Sequence, residues 1–379
     1  MKRRVFLLYP FYWPLYKAGG PVQSLYNLAA LFQDELDVYF ISLDKDIDGT
    51  PADHPLVLGK WNKGKNQENI FCTSAITPVL ISRLLKQVKP DLLMINGMFH
   101  WHTTLFGIIC GKINNYKIVV SPRGMLQEWG LQRGKLKKNF FLKVVKVLLG
   151  KRTVWHATDE QEKQDINKIF GRQQQVFVAS NIPRSLSPYS TIRYPNHDGR
   201  IKLVFLSLIN PNKNLHLIID SMKRSNQRFT LDIYGPIIDE VYWGDCQRLM
   251  DGYANVTYMG AVPPWQVPQL IQRYQFFVLP TQGENFGHAI FDALASSVPV
   301  IISTHTPWKN IESSKAGWYV DIGSKDSLNQ IFDRLSALKE PEYGEYRMSA
   351  HRYAKNYLDS MNYQADYKFL LSDLSPTGS

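Results

Sequence analysis

Short apolar runs rich in β-branched and aromatic residues alternate with stretches whose apolar residues recur every three or four positions. In the first half the runs fall near residues 5–9, 38–43, 92–96, 118–121, 154–157 and 176–179. In the second half they fall near residues 203–208, 231–234, 256–259, 276–279, 300–302 and 318–320. The runs predict buried strands, and the stretches between them predict helices. Such alternation is typical of doubly wound parallel sheets, so we predict an α/β protein with two of them.

A polar segment without hydrophobic periodicity separates the two halves. It runs from Pro183 to about Gly199 and is rich in turn-forming residues. A chain of 379 residues suits two domains, each with its own core. We expect an N-terminal domain over residues 1–185, a hinge linker over 186–200 and a C-terminal domain over 201–345. Over 346–379 we expect a C-terminal helix that packs back toward the N-terminal domain, followed by a disordered tail.

The segment 281–300 carries the clearest candidate chemistry. Glu284 follows the apolar run 276–279 and precedes a stretch with helical spacing that starts at His288, so it is expected in a turn before a helix N-terminus. Such a terminus presents unpaired N–H groups and partial positive charge to an anion. Asp292 follows eight residues after Glu284, about two helical turns on. The pattern predicts a ligand with phosphate and hydroxyl groups, although strand–turn–helix units without a ligand also recur in α/β folds.

This segment resembles the Glu-x7-Glu signature of retaining glycosyltransferases of family 4. Glu284 matches the first Glu, Asp292 stands at the second, and Pro299-Val300 also match. The resemblance implies the GT-B fold, in which two Rossmann-like doubly wound domains face a central cleft. It also implies that Glu284 binds hydroxyls of a donor sugar and that Asp292 holds the ribose. Sugar or phosphate oxygens would contact the backbone N–H groups of Asn285, Phe286, Gly287 and His288.

Two further turns contain residues that could bind the negatively charged diphosphate of such a donor. Similar enzymes have an Arg a few residues before a Lys after the first strand of the second domain; Lys213 matches the Lys, but the Arg position holds Leu208. Losing one charge-assisted contact of about 1.5–3 kcal/mol would weaken donor binding. Gly19-Gly20 forms either an anion-binding turn or simply a tight turn, and the resemblance implies that it approaches the donor diphosphate.

Arg123 is a third candidate cation, in the turn Ser121-Pro122-Arg123-Gly124-Met125. The turn is similar to that of a subgroup of the family with Pro-Arg-Gly-Met. Arg123 could contact phosphate or an acceptor group, or it could pair structurally with Glu128 or Asp159. Arg123 or Lys17 could also compensate for Leu208.

The net charge of +11 is concentrated in residues 133–152, which carry eight Lys or Arg and no acid. Apolar residues recur there at helical spacing. This pattern predicts either a helix that lies on an anionic membrane surface or a core-packed helix with a solvated basic face. No nucleic acid is expected, because the segment's aromatic residues look buried and no recognition module appears.

No metal or other cofactor is expected. Asp46-Ile47-Asp48 imitates the Asp-x-Asp of metal-dependent GT-A enzymes. The pattern of two doubly wound sheets instead resembles GT-B, in which protein cations and helix dipoles meet the diphosphate charge.

These features together predict a retaining glycosyltransferase. It would move a sugar from a nucleoside diphosphate donor to a glycan or lipid-linked acceptor in surface polysaccharide synthesis, with Glu284, Lys213 and Arg123 as catalytic residues. The alternative, favoured by Leu208 and Asp292, is a catalytically silent GT-B partner subunit that binds a sugar nucleotide or a membrane. Three scattered cysteines suit a reducing compartment, and no apolar run reaches the length of a membrane span. We therefore expect a cytoplasmic protein, peripheral on the inner face of the plasma membrane.

Overall fold

The computed structural model describes residues 2–52, 54–132, 134–149, 153–172, 174–192, 199–225 and 228–372. The chain divides into two compact units. Unit 1 comprises Met1–Ile182 with Asn362–Ser379, and unit 2 comprises Pro183–Met361.

Unit 1 is built on an eight-stranded sheet in the order β3-β4-β2-β1-β5-β6-β7-β8. Its strands are β1 Arg3–Leu8, β2 Leu36–Leu43, β3 Trp61–Lys63, β4 Asn69–Thr73, β5 Leu92–Asn96, β6 Ile118–Ser121, β7 Thr153–Ala157 and β8 Gln175–Val178. Its helices are α1 Gly20–Leu31, α2 Pro78–Val88, α3 Phe106–Ile113, α4 Glu128–Gln132, α5 Lys135–Leu148, α6 Glu160–Phe170 and, near the end of the chain, α13 Tyr363–Asp366. Neighbouring strands are parallel except β3 and β4. Helices lie on both faces, so apolar side chains of the sheet are buried on both sides.

Unit 2 has a six-stranded parallel sheet in the order β11-β10-β9-β12-β13-β14. The strands are β9 Ile201–Leu206, β10 Phe229–Tyr234, β11 Val256–Gly260, β12 Phe276–Leu279, β13 Val300–Ser303 and β14 Gly317–Val320. The helices are α7 Leu215–Arg224, α8 Glu240–Met250, α9 Val267–Ile271, α10 His288–Ala295, α11 Ser327–Ala337 and α12 Glu340–Ser360. Numbered from its own first strand, the order is 3-2-1-4-5-6, that of the Rossmann fold.

The predicted α/β class with two doubly wound sheets is confirmed. The predicted strands recur within a few residues, but the short hairpin of β3 and β4 was not predicted. In each sheet the strand order reverses at one place, between β1 and β5 in unit 1 and between β9 and β12 in unit 2. Ligands of parallel α/β sheets bind outside the carboxyl ends of the strands at this switch point.

The unit boundaries lie elsewhere than the sequence suggests. Leu186 and Ile192, from the predicted linker 186–200, pack against the core of unit 2, and residues 193–198 lie outside the described residues. Helix α12 also belongs to unit 2, because its Tyr343, Ala350 and Ala354 are buried in that core. From Asn362 the chain returns to unit 1, so the predicted single helix over 346–379 is divided between the units. The predicted tail at 375–379 lies outside the described residues.

No helix among the described residues is both long and apolar enough to cross a membrane.

Candidate functional site

Lys213 and Glu284 form an ion pair at the switch point of unit 2. Lys213 ends a short 3-10 turn, Pro211–Lys213, after β9, and Glu284 lies in the loop after β12. Because β9 and β12 are adjacent parallel strands, their carboxyl ends bring the two loops side by side. The Lys213 Nζ lies 2.5 Å from Glu284 Oε1, and the two side chains are 11% and 15% exposed. The structure therefore brings together two residues that the sequence singled out separately.

Hydrogen bonds between the two loops hold this pair in place. The N–H of Gln282 donates to Asn212 O at 2.8 Å, and the Asn214 Nδ2 donates to Pro280 O at 2.8 Å. The Glu284 N–H donates to His305 O at 3.1 Å, which also ties the loop to the segment after β13. The carboxylate and the ammonium are thus positioned by backbone contacts on both sides, which is the preorganisation that a binding site needs.

Helix α10 begins just beyond Glu284. Gly287 precedes it with φ +77°, in the left-handed region, and as the N-cap residue it has no side chain with which to cap the helix. Phe286 is buried against Trp308, whose Nε1 donates to Phe286 O at 2.7 Å, and the Phe286 ring also contacts His288. The side chains of Phe286 and Trp308 thus serve packing, while the start of α10 lies beside Glu284.

Asp292 lies in the second turn of α10 and is 6% exposed. Its Oδ2 lies 3.4 Å from Nη1 of Arg184, near the start of unit 2. Burial raises the pKa of Asp292, and the Arg184 guanidinium opposes that rise. Sequence reasoning missed Arg184, because it stands among turn formers in a segment assigned to the linker. Leu208, which stands where similar enzymes have an Arg, lies half-buried just after β9. Arg184 adds to this unit a guanidinium that the motif does not predict.

Arg123 follows β6 in unit 1 and is buried at φ +55°, a conformation unusual for a residue other than glycine. Its Nε donates to Asn96 Oδ1 at 2.7 Å, and its Nη1 donates to Asn181 Oδ1 at 2.5 Å. The hydrogen-bond partners are therefore amide oxygens and not the carboxylates of Glu128 or Asp159, which the sequence offered as structural partners. The next residue, Gly124, donates its N–H to the buried carboxylate of Glu162.

The Gly19-Gly20 turn lies at the start of α1. Gly19 has φ +75°, its N–H donates to Tyr16 O at 3.0 Å, and its carbonyl oxygen accepts from the N–H groups of Val22 and Gln23. The preceding Lys17 is engaged: its Nζ lies 2.7 Å from Asp48 Oδ2, and its N–H donates to Asp46 Oδ2 at 2.9 Å. Asp46 and Asp48 thus hold this loop. Across the described ranges no three His, Cys, Asp or Glu side chains converge as metal ligands would.

Comparison with known proteins places these residues in context. Residues 192–357 match the model of a family described as glycosyl transferases group 1. They include Lys213, Glu284 and Asp292. O-antigen chain mannosyltransferase B of Escherichia coli is 25% identical over 149 residues, which are 38% of this chain and 38% of that protein. The alignment thus spans well under half of this relative.

Solved structures resemble nearly the whole chain. HepE of Anabaena in complex with UDP and glucose has a TM-score of 0.70 at 14% identity, covering 93% of this chain and 95% of that one. Sucrose-phosphate synthase from Thermosynechococcus elongatus has a TM-score of 0.73 at 14% identity and covers 96% of each chain. At this identity the likeness shows the fold, which is the two-domain Rossmann-like fold of GT-B glycosyltransferases.

Proposed function

We propose that the protein is a retaining glycosyltransferase of family 4 type. It would transfer a sugar from a nucleoside diphosphate donor to a glycan or lipid-linked acceptor in surface polysaccharide synthesis. The observation that carries the proposal is the Lys213–Glu284 pair at the switch point of unit 2, inside the segment that matches a glycosyltransferase family. The O-antigen mannosyltransferase and the UDP and glucose of the Anabaena structure support the same kind of reaction and donor.

The charges of the pair suit the two ends of such a donor. The Lys213 ammonium would meet the diphosphate, whose negative charge grows as the bond to the sugar breaks. The Glu284 carboxylate would accept hydrogen bonds from sugar hydroxyls and stabilise positive charge on the ring. The acceptor oxygen would form its bond on the face from which the diphosphate departs, and its proton would leave with the departing phosphate.

Further groups of unit 2 would complete the donor site. The positive end of the α10 dipole would favour phosphate or sugar oxygens near the backbone N–H groups around His288. Asp292 would hold the ribose hydroxyls, and Arg184 would oppose the protonation that burial favours. The family resemblance also implies a contact of Gly19-Gly20 with the donor diphosphate and a phosphate or acceptor contact for Arg123. We propose that no metal or other cofactor takes part, because these protein groups meet the charge of the diphosphate.

Donor turnover by the purified chain tests this proposal. With a panel of UDP- and GDP-sugars, Lys213→Ala and Glu284→Gln should each lower transfer at least about tenfold, the effect of losing one interaction with transition-state charge. The pair Lys315–Glu345, 3.0 Å apart but more than half exposed, provides matched controls, so Lys315→Ala and Glu345→Gln should retain activity. Wild-type transfer by both site variants would refute the site.

The same panel separates an enzyme from a silent partner subunit. An enzyme releases the nucleoside diphosphate or transfers the sugar, whereas a silent subunit would bind a donor saturably without turnover. The match to a glycosyltransferase family favours the enzyme.

We also propose that α5 contacts an anionic membrane surface at the cytoplasmic face. Leu136, Phe140 and Val147 share one side of the helix and are 87%, 63% and 84% exposed. Lys137 and Lys143 are exposed beside them. An exposed apolar stripe flanked by lysines suits the interface of anionic lipid. Three other basic residues of the predicted segment, Arg133, Lys151 and Arg152, lie outside the described residues.

Liposome flotation tests this contact. Lys138 and Lys146 donate to backbone oxygens of Gly130 and Ile169, so they are poor choices for substitution. The double variant Lys137→Gln/Lys143→Gln should bind vesicles with anionic lipid more weakly, by about 1 kcal/mol per charge, and Phe140→Ser should also weaken binding. The double variant Lys86→Gln/Lys223→Gln, on α2 and α7, removes the same charge from exposed positions and should bind as wild type. Flotation equal to wild type in both α5 variants would refute the membrane contact.

A further inference from the structure

We propose that unit 1 contains an oxyanion-binding subsite formed by Arg123 and Asn96, which takes a phosphate or carboxylate group. Asn96 ends β5 and Arg123 follows β6, so the two side chains meet at the carboxyl ends of adjacent strands, beside the switch point between β1 and β5. The identification of the oxyanion as part of a donor or of an acceptor rests on the proposed function. The binding of an oxyanion to this subsite does not rest on it.

Two neighbouring donors carry this inference. Arg123 is 7% exposed and Asn96 is fully buried. Within the part of the chain that the structure describes, Nη2 of Arg123 and Nδ2 of Asn96 reach no hydrogen-bond acceptor. Nη2 shares one edge of the planar guanidinium with Nε, and Nε donates to the oxygen of the same carboxamide that carries Nδ2. The two donors thus belong to two side chains joined by one hydrogen bond, and a single oxyanion would bridge them.

Among the described residues, the guanidinium of Arg123 forms no hydrogen bond with a carboxylate. Its partners Asn96 and Asn181 are neutral. The carboxylate of Glu162 accepts from Gly124 and Thr158. Burial raises the pKa of Glu162, and these hydrogen bonds and the Arg123 charge oppose the rise.

His156 and Tyr9, two other titratable neighbours of Arg123, do not supply an anion either. Burial, aided by Arg123, lowers the pKa of His156 to about 3, so this histidine is neutral. Burial and Asp46 raise the pKa of Tyr9, so its hydroxyl stays protonated. Each unsatisfied buried donor costs about 1–3 kcal/mol, and a bound oxyanion would satisfy both.

The surroundings hold these donors in one position. Glu162 fixes the N–H of Gly124, next to the left-handed Arg123, and Asn181 is itself held by the hydroxyl of Ser24 at 2.9 Å. A strained backbone conformation kept by several contacts is common where a side chain must be aimed. The subsite is thus preorganised within unit 1.

Asn96→Asp is the sharpest test, because it is nearly isosteric and places a carboxylate where Arg123 finds an amide. In the full chain we expect this variant to raise the melting temperature in the absence of ligand, since the buried cation gains a partner. We expect it to weaken binding of inorganic phosphate and of glucuronate at least about tenfold, measured by titration calorimetry. Arg123→Gln should lose the same binding. Asn115→Asp, an exposed turn residue of unit 1, carries the same charge change and should behave as wild type.

UDP titrations identify the source. Loss of UDP affinity in Asn96→Asp would assign the oxyanion to the donor diphosphate, whereas unchanged UDP affinity with lost phosphate or glucuronate binding would assign it to the acceptor. Absence of phosphate and glucuronate binding to the wild type, or full binding by Asn96→Asp, would overturn the subsite. Lys213→Ala should keep the oxyanion binding, so failed transfer with intact oxyanion binding would count against the proposed function alone.

Discussion

Burial and charge oppose each other at Asp292. The carboxyl group is nearly enclosed in α10, which favours its protonated form, and the Arg184 guanidinium 3.4 Å away favours the charged form. Because burial is the larger influence, the pKa of Asp292 lies above its ordinary value in the folded chain. The folded state then binds a proton more readily than the unfolded state, and stability falls as the pH rises through this raised pKa.

Arg184→Gln should make this fall steeper and extend it to higher pH, because it removes the charge that lowers the pKa of Asp292. The free energy of unfolding, measured in urea at several pH values between about 4 and 7, checks the prediction. In the double variant Arg184→Gln/Asp292→Asn the extra slope should vanish. An unchanged slope in Arg184→Gln would show that the ion pair does not influence Asp292.

The sequence predicted the individual residues of the motifs as site residues, but it did not predict which side chains contact them. Lys213, Glu284 and Arg123 stand out because each follows an apolar run in a recognisable turn, and Asp292 stands out because it follows eight residues after Glu284. Arg184 and Asn96 carry no such local signal, since their positions depend on contacts with distant segments. Whether the predicted residues bind the donor remains a prediction for the turnover assay.

At the scale of elements, the turns after the strands decide where the charged groups lie. Gly235 follows β10 with φ +140°, and a Cβ built there would lie 1.8 Å from Ser207 O, in the loop that leads from β9 to Lys213. Only glycine allows the two turns to approach so closely.

Gly235→Ala should therefore destabilise the protein by more than about 2 kcal/mol, through backbone strain and the forced movement of the loop after β9. Gly252→Ala is the matched control, because Gly252 also has a positive φ, +70°, but no atom lies within 4 Å of its added Cβ. We expect that control to cost about 1 kcal/mol, the backbone term alone. Urea denaturation measures both, and equal losses would contradict the close approach.

Most elements were predictable because their patterns are local. The central strands β12 and β13 of unit 2 are buried on both faces and therefore appear as nearly continuous apolar runs. The hairpin of β3 and β4 was missed because β3 has only three residues and none of them is fully buried. Its pairing depends on the neighbouring strand β2 and not on its own periodicity.

At the scale of the whole molecule, the chain passes between the two units twice. After α12 of unit 2, residues 362–372 return to unit 1, where the Phe369 ring stacks on Phe177 with centroids 5.0 Å apart and also contacts His156. Phe369 is 3% exposed, so this short segment completes the core of unit 1 beside β7 and β8.

Phe369→Ala should lower the stability of unit 1 by about 3–5 kcal/mol, the usual cost of removing a buried phenyl group. Hydrogen exchange should show lost protection in β7 and β8 and unchanged protection in β9 and β12. Lys368→Ala, at the exposed neighbouring residue, should change neither unit. Equal loss of protection in both units would show that they do not unfold separately.

The sequence by itself determined the α/β class, the two doubly wound sheets and most of their strands, because hydrophobic periodicity and turn chemistry act over a few residues. It also determined which charged side chains stand at strand ends. Only the tertiary structure decided which of them meet. Lys213 reaches Glu284 because β9 and β12 are neighbours in the sheet. Arg184 meets Asp292 although the two residues are far apart in the sequence of unit 2. Arg123, Asn96 and Asn181 come together from three separate segments of the chain. Such contacts arise from strand order and packing, which join residues that no local pattern relates.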